Sequence, residues 1–277
     1  MKKIYWVFLF LSVLLFGCAD DQYTIERKFW YTQKEAGKIF SNLEASPPNE
    51  VERVVKKLAG MAKQYPNTPL SVEAEFTIAR LYIAKKEFQK GRVQLDAVIK
   101  KYRKAAQVCA EALFLIGNSY EIDENWDLAL SHYNRLMREY PLTKRGLSIP
   151  VYIAVHYKLK YQPDKMMAAY QEAIRHYRSL AESKPDTQLA YMSYMLVAEC
   201  YASMKDWQQV IATLDTMIKK FKDKINIAEL QINKAIIYRD EVKDGDKARQ
   251  ILESVGKEYP KTKAAQMAQA LLKTIKK

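Results

Sequence analysis

Between Ala110 and Pro141 the chain reads AEALFLIGNSYEIDENWDLALSHYNRLMREYP, with apolar positions at helical spacing. Gly117 and Ala129 each sit between apolar neighbours, which lets two helices cross closely with no side chain in the way. The stretch predicts one antiparallel helix pair. The same offsets return along the chain. A small residue falls at Ala79, Gly117, Ala154, Ala198 and Ala235, and a tyrosine follows each three positions later, at Tyr82, Tyr120, Tyr157, Tyr201 and Tyr238. Successive intervals are 38, 37, 44 and 37 residues. An aromatic opens the second helix at Phe88, Trp126 and Trp207, and one closes it at Tyr65, Tyr102, Tyr140, Phe221 and Tyr259. These aromatics are expected to form the core of each repeat.

Two repeats depart from the pattern. In the third, Pro163 stands where the opening aromatic belongs, and Gln162-Pro163-Asp164 reads as a turn and helix start. The longest interval coincides with an extended helix from Asp164 to Ser183. In the fifth, Asp244-Gly245-Asp246 carries one extra residue before Ala248. Ahead of the repeats, Phe29, Ala36, Ile39, Phe40 and Leu43 share a helical face, and Ser46-Pro47-Pro48-Asn49 interrupts it. Val51, Val54, Val55, Leu58 and Met61 then form the stripe of a second helix. This pair reads as a degenerate first repeat or a cap. A last helix carries Ala265, Met267, Ala268, Leu271 and Leu272 on its apolar side, with lysines at its end.

Leu113, Ile116, Gly117, Tyr120, Ala129, Tyr133 and Pro141 stand at the mutual offsets of the tetratricopeptide repeat, whose unit is about 34 residues, and the stretch resembles that family. The resemblance implies an all-α, right-handed superhelical solenoid of about five to six antiparallel helix pairs. Its parts would be a helix pair over 22–66, five repeats over 71–261 and a capping helix over 262–277.

The first residues have another character. Lys2 and Lys3 precede thirteen residues, Ile4 to Phe16, of which only Ser12 is polar. That run is short of the about 20 residues a membrane span requires, and it reads as an export signal. Leu15-Phe16-Gly17-Cys18 resembles a bacterial lipobox. The resemblance implies removal of residues 1–17, acylation of Cys18 and a short anchor segment over 18–21. An uncleaved anchor or a soluble secreted form is the alternative. Ala19 follows the cysteine, with Asp20 one place later, and by resemblance to enterobacterial lipoproteins this favours the periplasmic leaflet of the outer membrane over the inner membrane.

Composition narrows the picture further. Hydrophobic residues make up 49% of the chain, and only 8 Gly and 9 Pro occur, which suits helices with a buried core. The net charge of +13 predicts a basic surface. The cations cluster at the ends of second helices, above all Lys100, Lys101, Arg103 and Lys104, and Lys219, Lys220, Lys222 and Lys224. They either complement the negative ends of helix dipoles or form a rim for anionic lipid or an acidic protein. No nucleic-acid partner is expected of an exported protein.

His132, His156 and His176 belong to no metal-ligand or nucleophile motif, and no phosphate-binding Gly-rich loop occurs, so neither an enzyme nor a metal or other cofactor is expected. Cys109 and Cys200 read as buried free thiols. The tetratricopeptide resemblance carries peptide-contacting positions of a concave wall onto the first helices. These are Phe76, Arg80 and Ile83, then Phe114, Asn118 and Glu121, then Val151, Val155 and Lys158, then Met195 and Glu199, and finally Ile232, Ile236 and Arg239. With its lipobox and repeats, the whole chain resembles the BamD-like family of outer-membrane lipoproteins. That resemblance implies a scaffold for envelope proteins, including a beta-barrel assembly component. The alternative is an organiser of a peptidoglycan-synthesis or secretion complex.

Overall fold

The computed structural model describes residues 22–185, 187–222 and 227–275; Cys18 and Lys224 lie outside them. The described residues are helical throughout and form two compact units, one ending at Leu147 and one beginning at Ser148. The first unit holds α1 (Gln22–Ser41), α2 (Pro48–Gln64), α3 (Pro69–Ala84), α4 (Phe88–Lys101), α5 (Ala106–Ile122) and α6 (Trp126–Glu139). The division falls within α7 (Lys144–Leu159). Beyond it come α8 (Pro163–Ser183), α9 (Gln188–Ser203), α10 (Trp207–Phe221), α11 (Ala228–Ile237), a π turn (Tyr238–Val242), α12 (Gly245–Glu258) and α13 (Lys263–Leu272). Within each unit, helices that follow one another in sequence pack together.

First and second helices of a pair differ in kind. In α3, nine residues are buried and they surround the helix. Ala74, Ile78 and Leu81 face the core made with α1 and α2, while Phe76, Ala79 and Ile83 face Leu95 and Val98 of α4 and Ala112 and Ile116 of α5. Helix α6 is one-sided, burying only Ala129, Tyr133 and Leu136. The small positions act by what they leave out. A Cβ on Gly117 would stand 2.5 Å from Tyr133 Cε1, and one on Gly91 would stand 2.7 Å from Ile83 Cγ1. The missing side chains let the partner helix approach.

The repeat tyrosines also terminate helices. Across each three-residue turn an N–H returns to the tyrosine carbonyl: Glu87 to Tyr82 at 2.8 Å, Asn125 to Tyr120 at 2.8 Å, Gln162 to Tyr157 at 3.0 Å and Asp206 to Tyr201 at 2.9 Å. The residue before each donor, Lys86, Glu124, Tyr161 or Lys205, is left-handed, with φ between 54° and 62°. This is the Schellman closure, normally built on glycine. Lys205→Gly is therefore expected to raise stability by about 0.5–1 kcal/mol, relief of left-handed strain outweighing lost unfolded-chain restriction. A higher urea midpoint at unchanged m-value checks it.

The fifth pair places its extra residue differently from the sequence reading. Asp244 N–H reaches back six residues, not five, to the Tyr238 carbonyl at 2.8 Å, with Lys243 left-handed at φ 63°. The insertion sits in the π turn at Tyr238–Val242, ahead of the Asp244-Gly245-Asp246 segment. Asp244 is instead the N-cap of α12, accepting from Lys247 N–H at 3.0 Å.

Threonines start four of the helices. Thr68, Thr143, Thr187 and Thr262 each donate a hydroxyl to a carbonyl three residues back, at 2.7 or 2.8 Å. Each also accepts the N–H three residues ahead, at 3.0–3.3 Å. One hydroxyl thus closes the preceding turn and caps the next helix. Two side chains assigned to apolar faces point outward instead. Phe40 in α1 is 38% exposed and Met267 in α13 is 49% exposed, because Ala36 and Ile39, and Ala265 and Ala268, are the residues that meet neighbours.

Candidate functional site

The positions expected to contact a partner fall into three groups. Phe76, Ile83 and Ile232 are core side chains, buried to 4%, 7% and 2% exposure, and this corrects the expectation. A first helix has neighbours on both flanks, and these residues fill the flank toward its own repeat and the next. A second group is engaged internally. Arg80 pairs with Glu73 at 2.9 Å and lies over the Phe76 ring. Phe114 is covered by the Arg145 guanidinium at 3.8 Å, and Glu121 accepts the Tyr133 hydroxyl at 3.0 Å. Arg239 holds Asp240 and donates to Thr274 Oγ1 at 2.7 Å. Val151 and Ile236 pack half-buried against core clusters. The remaining positions reach solvent: Lys158, Met195 and Glu199 are exposed, and Asn118 and Val155 are half-buried.

Two arginines, Arg92 and Arg145, lock successive helices. Arg92 of α4 lies 3.6 Å from the Tyr120 ring, donates to Ser119 Oγ at 2.9 Å and pairs with Asp123 at 2.7 Å. Arg145 grips both carboxylate oxygens of Glu111, at 2.6 and 3.0 Å, while stacking on Phe114. Planarity allows one guanidinium to stack and chelate together, which lysine cannot do. The signal in the sequence was an arginine one repeat away from an aromatic and a carboxylate, and it has no fixed spacing.

Two grooves open between consecutive second helices, across the first helix that separates them. One, of about 280 Å³, is lined by Ala59, Ala62, Lys63, Glu75, Ile78, Gln94 and Lys101 of α2, α3 and α4. The other, of about 270 Å³, lies among α8, α9 and α10 and includes Arg178, Glu182, Tyr194, Gln209 and Thr216. The first bears on the basic rim. Lys101 pairs with Glu75 Oε1 at 2.7 Å, whereas Glu75 Oε2 is buried with no partner. Burial pulls the Lys101 pKa down, and its Glu75 and Tyr102 partners more than offset this, leaving it raised. Lys100, Arg103 and Lys104 are exposed, as are Lys219, Lys220 and Lys222. Lys100, Lys101, Lys219 and Lys220 occupy last helical turns, where a cation meets free carbonyls.

Among the described residues no group of three His, Cys, Asp or Glu could hold a metal ion, and no helix is long and apolar enough to cross a membrane. Cys109 and Cys200 are free and buried, and burial pushes the Cys200 thiol up to about 12. Burial also holds His132 and His176 below the ordinary imidazole pKa, and each has a buried ring nitrogen without a partner. With the folded values depressed, the unfolded chain binds more protons once pH drops below about 6.5. Stability is expected to be complete well above that pH and to decline as pH falls through it, read as a lower urea midpoint at about pH 5.5 than at about pH 7.5. Replacing both histidines by glutamine should flatten that stretch.

Comparison with known proteins matches one repeat. Residues 111–143, covering most of α5 and all of α6, match the tetratricopeptide repeat family. No curated protein matches the chain by sequence. Among solved structures, BtubC (BKLC) from P. vanneervenii is 14% identical over 84% of this chain and 90% of its own, with a TM-score of 0.39. The TPR2AB-domain:pHSP90 complex of yeast Sti1 is 14% identical over 89% and 98%, at 0.34. A tetratricopeptide repeat protein from Parabacteroides merdae is 11% identical over 89% and 98%, at 0.30. Likenesses this loose say nothing of what the present chain binds. Residues 111–143 thus match a tetratricopeptide repeat, and the described residues around them form helix pairs set on the same small-residue and tyrosine positions.

Proposed function

We propose that this chain is a lipid-anchored repeat scaffold of the bacterial cell envelope, held at the periplasmic face of the outer membrane and serving beta-barrel protein assembly. The observation that carries it is an export leader ending in Leu15-Phe16-Gly17-Cys18 directly ahead of a tetratricopeptide-type array. Acyl chains on Cys18 supply anchoring, and the helix pairs supply surface for a protein partner. On the second unit, Lys158, Met195 and Glu199 offer one apolar and two charged side chains on first helices, a mixture suited to a peptide segment.

The anchor has a direct test. The mature chain should begin at an acylated Cys18, and a thiol titration should find none in the native protein and two, not three, after unfolding. Cys18→Ser should leave residues 1–17 uncut. A free Cys18 thiol on the mature chain would sink the anchor. For the partner, crosslinking in cells should recover a barrel-insertion component. Recovery of a peptidoglycan synthase or a secretion channel in its place would assign the scaffold to that complex.

A further inference from the structure

Helix α1 turns an unusual face to solvent. Thr32, Ala36 and Ile39 face inward, and Tyr23, Arg27, Trp30, Tyr31, Lys34 and Lys38 stand exposed on the opposite side at helical spacing. Tyr23 is 65% exposed, Trp30 56% and Tyr31 52%. Only five aromatic side chains are exposed among the described residues, and four of them are on this helix, so the aromatic exposure is local and not a property of the whole surface. The rings are ordered against one another and against a cation. Trp30 and Tyr31 meet edge to face with centroids 4.9 Å apart, and the Lys34 ammonium stands 5.2 Å over the Trp30 ring.

Cations outnumber carboxylates on this helix, although Glu26 is exposed. The helix has two carboxylates; Glu35 is turned to Lys57 and Arg53 of α2, at 2.7 and 3.3 Å, and Glu26 is the other. Burial notwithstanding, the Lys57 hydrogen bond holds the Glu35 carboxyl below the usual carboxylate range, so it stays charged and spent on that partner. Arg27, Lys34 and Lys38 remain at the surface beside the rings. Amphipathic rings with a polar tip, mixed with lysine and arginine, suit the headgroup depth of a bilayer, and the cations suit an anionic leaflet. Three residues separate Cys18 from the first residue of α1, so the anchor cannot be more than about 18 Å from Tyr23.

From this we infer that the Tyr23–Trp30–Lys34 face of α1 lies on the anionic membrane surface into which Cys18 is inserted, and thereby fixes how the repeats are presented. The inference rests on the lipid-anchor reading. Anchoring makes the encounter intramolecular, so a face too weak to bind alone can still set orientation.

The test uses the mature lipidated protein, beginning at Cys18, in vesicles of brominated phosphatidylcholine, with or without phosphatidylglycerol. With phosphatidylglycerol present, tryptophan emission should be quenched by the brominated chains, and Trp30→Phe should abolish that quenching. Combined Arg27→Glu, Lys34→Glu and Lys38→Glu should abolish it too, while the protein still floats with the vesicles. Equal quenching of the wild type and Trp30→Phe, or quenching of neither, overturns the inference, and floating protein in that case leaves the anchor intact. Failure to float with neutral vesicles overturns the anchor instead.

Discussion

Replacing Tyr133 with alanine should destabilise the first unit by about 3–5 kcal/mol, the range for truncating a large buried aromatic. Its side chain is completely buried, at 0% exposure. The ring stands 6.0 Å from both Phe114 and Trp126, and its hydroxyl donates to Glu121 at 3.0 Å. Against it lies Gly117, where a Cβ would come within 2.5 Å of the ring. Gly117→Val should accordingly cost about 1–3 kcal/mol by overpacking, although glycine in a helix interior normally gives way to another residue with a gain. The two changes act on one contact. With the ring gone, the valine side chain has room, so the double variant should lose less than the sum of the singles. Urea unfolding of the four chains measures this. Strict additivity would mean that the glycine is not there to admit the ring.

Tyr177→Ala should cost a similar amount, about 3–5 kcal/mol, in the second unit. Tyr177 is buried at 0% exposure, packed with Ala154, Tyr170, Ala173, Val197 and Cys200. Burial raises the pKa of its hydroxyl, which bonds to the backbone of Val151. Tyr177→Phe keeps the ring and removes only that hydrogen bond, so about 0.5–1.5 kcal/mol is expected. The ratio separates packing from hydrogen bonding. Should the phenylalanine variant prove as unstable as the alanine one, the hydroxyl and not the ring would be what holds α8 in place.

How much of this was legible in the chain differs from one residue to the next. Gly117 and Tyr133 were visible as members of a spaced pattern, since the spacing is local and set by helical geometry. Thr68, Thr143, Thr187 and Thr262 were equally local and could have been read, as each lies three residues after Tyr65, Tyr140, Lys184 or Tyr259. Phe76, Ile83 and Ile232 could not be placed from spacing alone. A one-helix pattern says which residues share a side, whereas burial depends on how many neighbours the helix has. Helix α3 is packed on both flanks, so positions that would form a surface on a one-sided helix become core. The Arg92 and Arg145 locks were invisible for a different reason: they join residues 27 to 34 positions apart through side-chain reach.

Sequence by itself determined the helix pairs, their spacing and the five tyrosine positions, because a small residue and an aromatic at fixed offsets satisfy a packing requirement within one pair. It also held the lipobox-like stretch Leu15-Phe16-Gly17-Cys18, a resemblance that needs no fold to be read. Tertiary structure alone decided which side of each first helix remains exposed, where the extra residue of the fifth pair is absorbed, and that α1 turns its aromatic and basic residues outward. Those outcomes depend on neighbouring helices competing for the same face, and the small Ala36 with Ile39 won the inward side from the larger Trp30 and Tyr31.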